Sequence, residues 1–178
     1  IDADKRIVKL AGGTELSYDR LIVSPGVDFM WETLPGMAKA GAKDKVMHAW
    51  KAGVQTLTLR KQLEAMPDGG VFAMSIPLAP YRCPPGPYER ACQVAEYFTK
   101  AKPKSKVLIL DAHDDVTSKG PLFKTAWAER YKGIVEYRAK HRVTDVDAST
   151  NTLKFEFNDD IKANVLNVIP EMRAGDIA

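Results

Sequence analysis

The residue type and setting most suited to chemistry is Cys83, in the stretch YRCPPGPYERACQVAEYF at residues 81–98. Two prolines, a glycine and a third proline follow it, and an amphipathic pattern begins directly after them. The thiolate is the reactive form of cysteine, and positive charge or a helix N-terminus favours it. Arg82 and Arg90 lie close in sequence, so the spacing predicts a lowered pKa and a thiol ready for nucleophilic attack or disulfide exchange. The alternative is a cysteine that fills an apolar gap beneath the loop. Pro84 predicts an extended conformation for Cys83, and each further proline narrows the freedom of the loop. Cys92 falls mid-helix beside the apolar stripe and is assigned to packing. A bridge between Cys83 and Cys92 would need the helix start to bend back onto the loop, so a redox partner for Cys83 is expected outside this chain.

The other polar residues give weaker signals. A dinucleotide-binding turn needs G-x-G-x-x-G, because only glycine lets the backbone approach a pyrophosphate seated on a helix N-terminus. The corresponding segment, PLAPYRCPPGPY, holds one glycine, Gly86, and prolines that lack amide donors. Binding of a nicotinamide dinucleotide at this turn is therefore not expected, and Asp111, His113 and Asp114 read as strand-terminal turn residues. Three histidines and two cysteines lie far apart without ligand spacing, which excludes a metal constellation. His141 reads as solvent-facing. The lysines at 100, 102, 104 and 106 read as a solvated loop.

The elements that must position Cys83 follow an α/β rhythm. Residues 1–29 read as three short strands, the third within RLIVSPG, and 28–45 as a Gly-, Pro- and Lys-rich linker. A helix is predicted over 49–66, with Ala52, Thr56, Leu59, Leu63 and Met66 on one stripe. VFAMSI, a helix over 88–99 that buries Ala91, Val94, Ala95 and Phe98, and KVLILDA make a βαβ unit. A helix opened by Gly120-Pro121 and closed by Gly133 leads to a third strand, IVEYR. From Arg142 the rhythm becomes an antiparallel meander, followed by a last buried strand at 165–169. The fold class is a Rossmann-like parallel sheet with helices and a β-meander, preceded by a short β piece.

At 178 residues, 45% apolar, 28% charged and with a formal charge of +3, the chain has a globular composition and no charge excess that implies nucleic acid. No apolar run approaches the ~20 residues that span a bilayer. The chain opens at Ile1 without methionine or signal peptide and reads as an excised piece or a processed product.

RCPPGPYERACQVAEYF, with HAWKAGVQTLTLRKQL at 48–63 and VLNVIPEMRAGDIA at 165–178, resembles the flavoprotein subunit of flavocytochrome c sulfide dehydrogenase. YDRLIVSPG at 18–26 is similar to the second flavin-side motif of two-dinucleotide-domain flavoproteins, which usually ends Ala-Thr-Gly; Ser24-Pro25 departs from it. The resemblance implies residues 1–34 as the end of an FAD domain, 35–170 as the nicotinamide-domain equivalent and 171–178 as the return towards the FAD domain. It implies that in the complete protein sulfide attacks a redox disulfide, two electrons pass to FAD, and a c-type cytochrome subunit takes them onward. Cys83 matches one half of that disulfide, and Pro25 and Gly26 match cofactor-binding positions. It also implies a periplasmic location and an isolated chain that neither retains FAD nor oxidises sulfide. Two rival readings stay open: a sulfide:quinone reductase-like flavoprotein, and a noncatalytic interaction module in which Cys83 is buried and inert.

Overall fold

The computed structural model describes residues 1–177. In chain order the elements are β1 (Ile7–Lys9), β2 (Glu15–Ser17), β3 (Val27–Phe29), α1 (Ala42–Lys45), α2 (Val54–Ala65), β4 (Val71–Ile76), α3 (Gly86–Ala101), β5 (Lys106–Asp111), α4 (Gly120–Glu129), β6 (Val135–Arg138), β7 (Val143–Asp147), β8 (Thr152–Phe155), β9 (Ile161–Lys162), β10 (Val165–Val168) and β11 (Met172–Ala174). The chain divides into two compact units, one of Ile1–Asp28 with Ala174–Ala178, the other of Phe29–Arg173.

The larger unit is built on a parallel sheet of order β10-β4-β5-β6. β4, β5 and β10 are near-continuous buried runs because both their faces are covered, while the edge strand β6 (VEYR) is only half-buried. Ala73, Leu108, Leu110, Leu166 and Val168 pack on one side against Val146 and Leu153 of the antiparallel β7-β8-β9 meander. α3 covers β4, β5 and β6, burying Tyr88, Ala91, Val94, Ala95 and Phe98. β4 and β10 are neighbours, although β5 and β6 follow β4 on its other side. The loop after β4, which carries Cys83, therefore begins where the strand order reverses, the place where open α/β sheets present their sites.

Three expectations need correction. Residues 28–45 are not a linker: two 3-10 turns (Trp31–Thr33, Pro35–Ala38) and α1 bury Leu34, Met37, Ala42 and Val46 in the core with the meander. Composition averaged over exposed lysines hid these apolar anchors. RLIV makes no strand. It pairs with nothing in a sheet among the described residues, Ile22 is 91% exposed, and β3 begins only after Gly26. The second helix starts at Val54 rather than 49, so Ala52 lies outside it, and Leu59 is its one buried residue.

The predicted lysine loop also does more than meet solvent. The Lys102 amine donates to the carbonyls of Glu64 (2.9 Å) and Met66, satisfying groups left open at the end of α2. The Lys106 amine bonds the Gly133 carbonyl. No helix among the described residues is long and apolar enough to cross a membrane.

Gly36 shows how tightly the 3-10 segment meets the meander. Its N–H donates to Asp145 Oδ1 at 2.6 Å, and a Cβ there would lie 1.8 Å from the Val146 carbonyl oxygen. Gly36→Ala is expected to cost about 2–3 kcal/mol through overpacking and loss of this bond. Gly120→Ala, whose nearest neighbour would be Val116 Cβ at an ordinary 3.5 Å, is the control and should shift stability little. Urea denaturation of the two variants beside the parent checks this.

Candidate active site

Cys83 is exposed, is not disulfide-bonded, and sits three residues before the start of α3. Its backbone is not extended, as Pro84 predicts, but left-handed, with φ +61°. For a residue with a Cβ that conformation costs roughly 1–2 kcal/mol, and it persists because the backbone on both sides is held. The Arg82 N–H donates to Met172 Sδ (3.3 Å), and the Arg82 carbonyl accepts from Trp50 Nε1 (2.9 Å). The Cys83 carbonyl accepts from the Gly86 N–H (2.9 Å), and the Pro84 carbonyl from the Tyr81 hydroxyl (3.2 Å). A Cβ on Gly86 would lie 2.9 Å from Trp50 Cη2 and 3.1 Å from Cys83 Sγ, so the absent side chain lets indole and thiol both lie against the first residue of α3.

Trp50 belongs to HAWKAG, which forms an irregular hook between α1 and α2 instead of the predicted first turn of the helix. The hook is secured from β10. Asn167, fully buried, donates its amide to the carbonyls of Met47 and His48 (2.8 Å each). Its Oδ1 accepts from Arg90 Nη1 (3.0 Å), and Arg90 also donates to the carbonyls of His48 (3.2 Å) and Ala49 (2.6 Å). All three acceptors are neutral, and burial pushes the Arg90 guanidinium below its ordinary pKa. The same guanidinium stacks 4.7 Å over the Trp50 ring. Gln55 Oε1 accepts from the N–H groups of His48 and Ala49, and His48 Nδ1 accepts from the Trp50 N–H at 2.8 Å. Burial, then the charges of Lys51 and Arg90, lower the His48 pKa to about 4. The ring is therefore neutral at neutral pH and free to accept.

A second network braces the loop from the opposite side. Asp111, read from sequence as a turn residue, is fully buried. Its Oδ2 accepts from the hydroxyls of Tyr88 (2.6 Å) and Tyr137 (3.0 Å), and its Oδ1 from the His113 N–H (3.0 Å) and ring Nδ1 (2.8 Å). His113 Nε2 accepts from the Ala79 N–H (3.1 Å), which assigns the proton to Nδ1. Burial, then the bond to Asp111, raises the Tyr88 pKa well above the ordinary phenol value. Thr117 Oγ1 lies 3.2 Å from the hydroxyls of both Tyr88 and Tyr81, and Tyr81 reaches the Pro84 carbonyl. Asp114 is exposed beside Lys140 (3.6 Å). His141 is half-buried rather than solvent-facing, its Nδ1 paired with the Ala139 carbonyl at 2.7 Å.

Cys83, Trp50, Lys51, Arg82, Glu89 and Arg90 line an open cleft of about 270 Å³. The crevice between the carboxyl ends of β4 and β10, by contrast, is closed to about 20 Å³ by Thr33, Leu34 and their neighbours. Cys92 is half-buried in α3, and burial pushes its thiol pKa up. Pro25 and Gly26 belong to the smaller unit and form an exposed turn with Gly26 at φ +74°. Within that unit Gly175 donates to the Gly26 carbonyl (3.2 Å), and a Cβ on Gly175 would meet Pro25 Cβ at 2.9 Å. No group of His, Cys, Asp and Glu among the described residues could hold a metal ion.

Residues 56–170 match the family model for the central part of the flavoprotein chain of flavocytochrome c sulfide dehydrogenase. The chain belongs to this family. It is also similar to curated mitochondrial sulfide:quinone oxidoreductases, from Dictyostelium discoideum (22% identical over 183 residues, 95% of this chain and 38% of the relative) and Mus musculus (23% over 191 residues, 99% and 41%). It spans about two-fifths of the length of these relatives. The matched region includes Cys83, Arg90, Asp111 and Asn167, while Trp50, Pro25 and Gly26 precede it.

The depressed His48 pKa has a sign that can be tested. Between about pH 6.5 and 4 the unfolded chain binds a proton at this residue that the folded chain does not, so this contribution to stability is complete above 6.5 and declines as pH falls towards 4. His48→Asn, which keeps a hydrogen-bonding side chain without the titration, is expected to lose less stability than the parent between pH 7 and pH 4.5. Chemical denaturation of both proteins at the two pH values measures the difference.

Proposed function

We propose that this chain is the part of an FAD-dependent sulfide dehydrogenase flavoprotein that carries one redox-active cysteine, Cys83. The observation that supports it most is an exposed cysteine in the left-handed conformation whose flanking peptide groups are bonded on both sides. Such strain at an accessible nucleophile is typical of a working site, and a cysteine serving only to fill a gap would be buried.

In this reading Cys83 forms a disulfide with a cysteine not contained in the chain. Hydrosulfide attacks one sulfur of the bridge; a new S–S bond forms to give a persulfide, and the other cysteine leaves as a thiolate carrying the electron pair. FAD, when bound by the complete flavoprotein, supplies the acceptor for that pair. The Pro25–Gly26 turn, an exposed backbone edge that Gly175 approaches closely, suits contact with such a cofactor and would help to hold it. The sequence contains no glycine-rich phosphate loop, so this chain by itself is an incomplete FAD site and is inactive. A c-type cytochrome subunit takes the electrons onward, and the protein works in the periplasm.

The likeness to sulfide:quinone oxidoreductases favours a second reading in which a quinone is the acceptor. Sulfide-driven reduction assayed with cytochrome c and with a soluble quinone separates the two, since the first reading requires the faster rate with the cytochrome.

In the FAD-loaded flavoprotein, Cys83→Ser is expected to retain FAD and to lose sulfide-driven flavin reduction by about 1,000-fold or more. Full turnover in this variant would leave Cys83 a packing residue. In the chain itself, iodoacetamide followed by peptide mass mapping should label Cys83 at least ~10-fold faster than Cys92, whose thiolate burial disfavours.

A further inference from the structure

We propose that Trp50 is a positioning residue for Cys83, an inference that rests on the redox role just assigned to that thiol. The conformation of Cys83 is set by the two peptide planes that meet at its Cα. The plane after it is fixed by the turn in which Gly86 N–H bonds the Cys83 carbonyl at 2.9 Å. The plane before it carries the Arg82 carbonyl, and its acceptor bond comes from the indole N–H of Trp50 at 2.9 Å. With this bond in place φ is held at +61°; without it, rotation of that plane towards the extended region that Pro84 favours becomes downhill.

The indole also lies close to the sulfur. Trp50 Cη2 and Cys83 Sγ lie 2.9 and 3.1 Å from the point where a Gly86 Cβ would stand, so the ring edge and the thiol occupy neighbouring positions over the first residue of α3. The Trp50 ring is buried, with Arg90 stacked at 4.7 Å, and its backbone N–H is bonded to His48 Nδ1, so it can impose a position rather than follow one. Displacement of a reacting atom by about 1 Å can cost up to ~100-fold in rate. Loss of the indole N–H should therefore slow the sulfur chemistry without weakening capture of sulfide.

Trp50→Phe, which keeps an aromatic ring and removes the N–H, tests this in the FAD-loaded flavoprotein. The expected result is a rate of flavin reduction at saturating sulfide lowered by ~10–100-fold with KM changed by less than about 2-fold. In the chain itself, Cys83 alkylation should slow several-fold while the labelling rate of Cys92, the internal reference for the fold, stays as in the parent. A Trp50→Phe protein that turns over like the parent, beside an inactive Cys83→Ser, would overturn the positioning role and leave the redox role standing. An active Cys83→Ser would overturn both. If Trp50→Phe labels Cys92 faster, which marks general loosening, Gly86→Ala decides. It keeps the indole N–H but puts a methyl group against ring and sulfur; a lowered maximal rate with unchanged Cys92 labelling supports positioning, and a parental rate refutes it.

Discussion

The candidate site depends on holding one peptide segment, residues 81–86, in a conformation the segment would not choose. A left-handed cysteine before a proline is opposed by sterics at roughly 1–2 kcal/mol. Hydrogen bonds worth about 1 kcal/mol net each offset it at the carbonyls of Arg82, Cys83 and Pro84. The balance favours the observed loop only while the donors stay in place. Those donors have polar anchors of their own: buried Asn167 and half-buried Arg90 behind Trp50, buried Asp111 and exposed Thr117 behind Tyr81.

This explains why polar groups occur deep in an apolar fold. Asn167 lies within the fully buried β10, and Asp111 ends the buried β5. Both are saturated with partners, as buried polar groups must be to avoid a desolvation cost. Removal of one partner would leave a buried acceptor or donor unmatched and would loosen the loop from a distance. Cys83 is thereby tied to three strands: β4, which precedes its loop; β5 through Asp111; and β10 through Asn167.

Much of this was legible in the sequence and some of it was not, for physical reasons. β4, β5, α3 and β6 were readable because apolar periodicity and the Gly-Pro signals all pointed one way. Cys83 stood out through its proline frame. Its backbone did not, because Pro84 argues locally for an extended residue and the bonds that overrule it come from Trp50 and Tyr81, one distant in sequence and one in the loop itself. The buried 3-10 segment was disguised by lysines whose side chains point outward, and the hook at HAWKAG by residues that would also suit a helix. Asn167 did carry a signal: a lone amide in VLNVIP is out of place in a buried strand unless something needs its hydrogen bonds. Asp111 was visible, but its aromatic partners Tyr88 and Tyr137 could be assigned only once the strands were in register.

The chain belongs to the family of the flavocytochrome c sulfide dehydrogenase flavoprotein chain, and Cys83 is the sulfur proposed for a redox role in it. The most direct test is non-reducing peptide mapping of the complete, FAD-loaded flavoprotein before and after one equivalent of sulfide under anaerobic conditions. The account predicts that the peptide carrying Cys83 is disulfide-linked before sulfide and afterwards is released as a thiol or persulfide in step with flavin reduction. A Cys83 that is a free thiol in both samples, while sulfide still reduces the flavin, would contradict it.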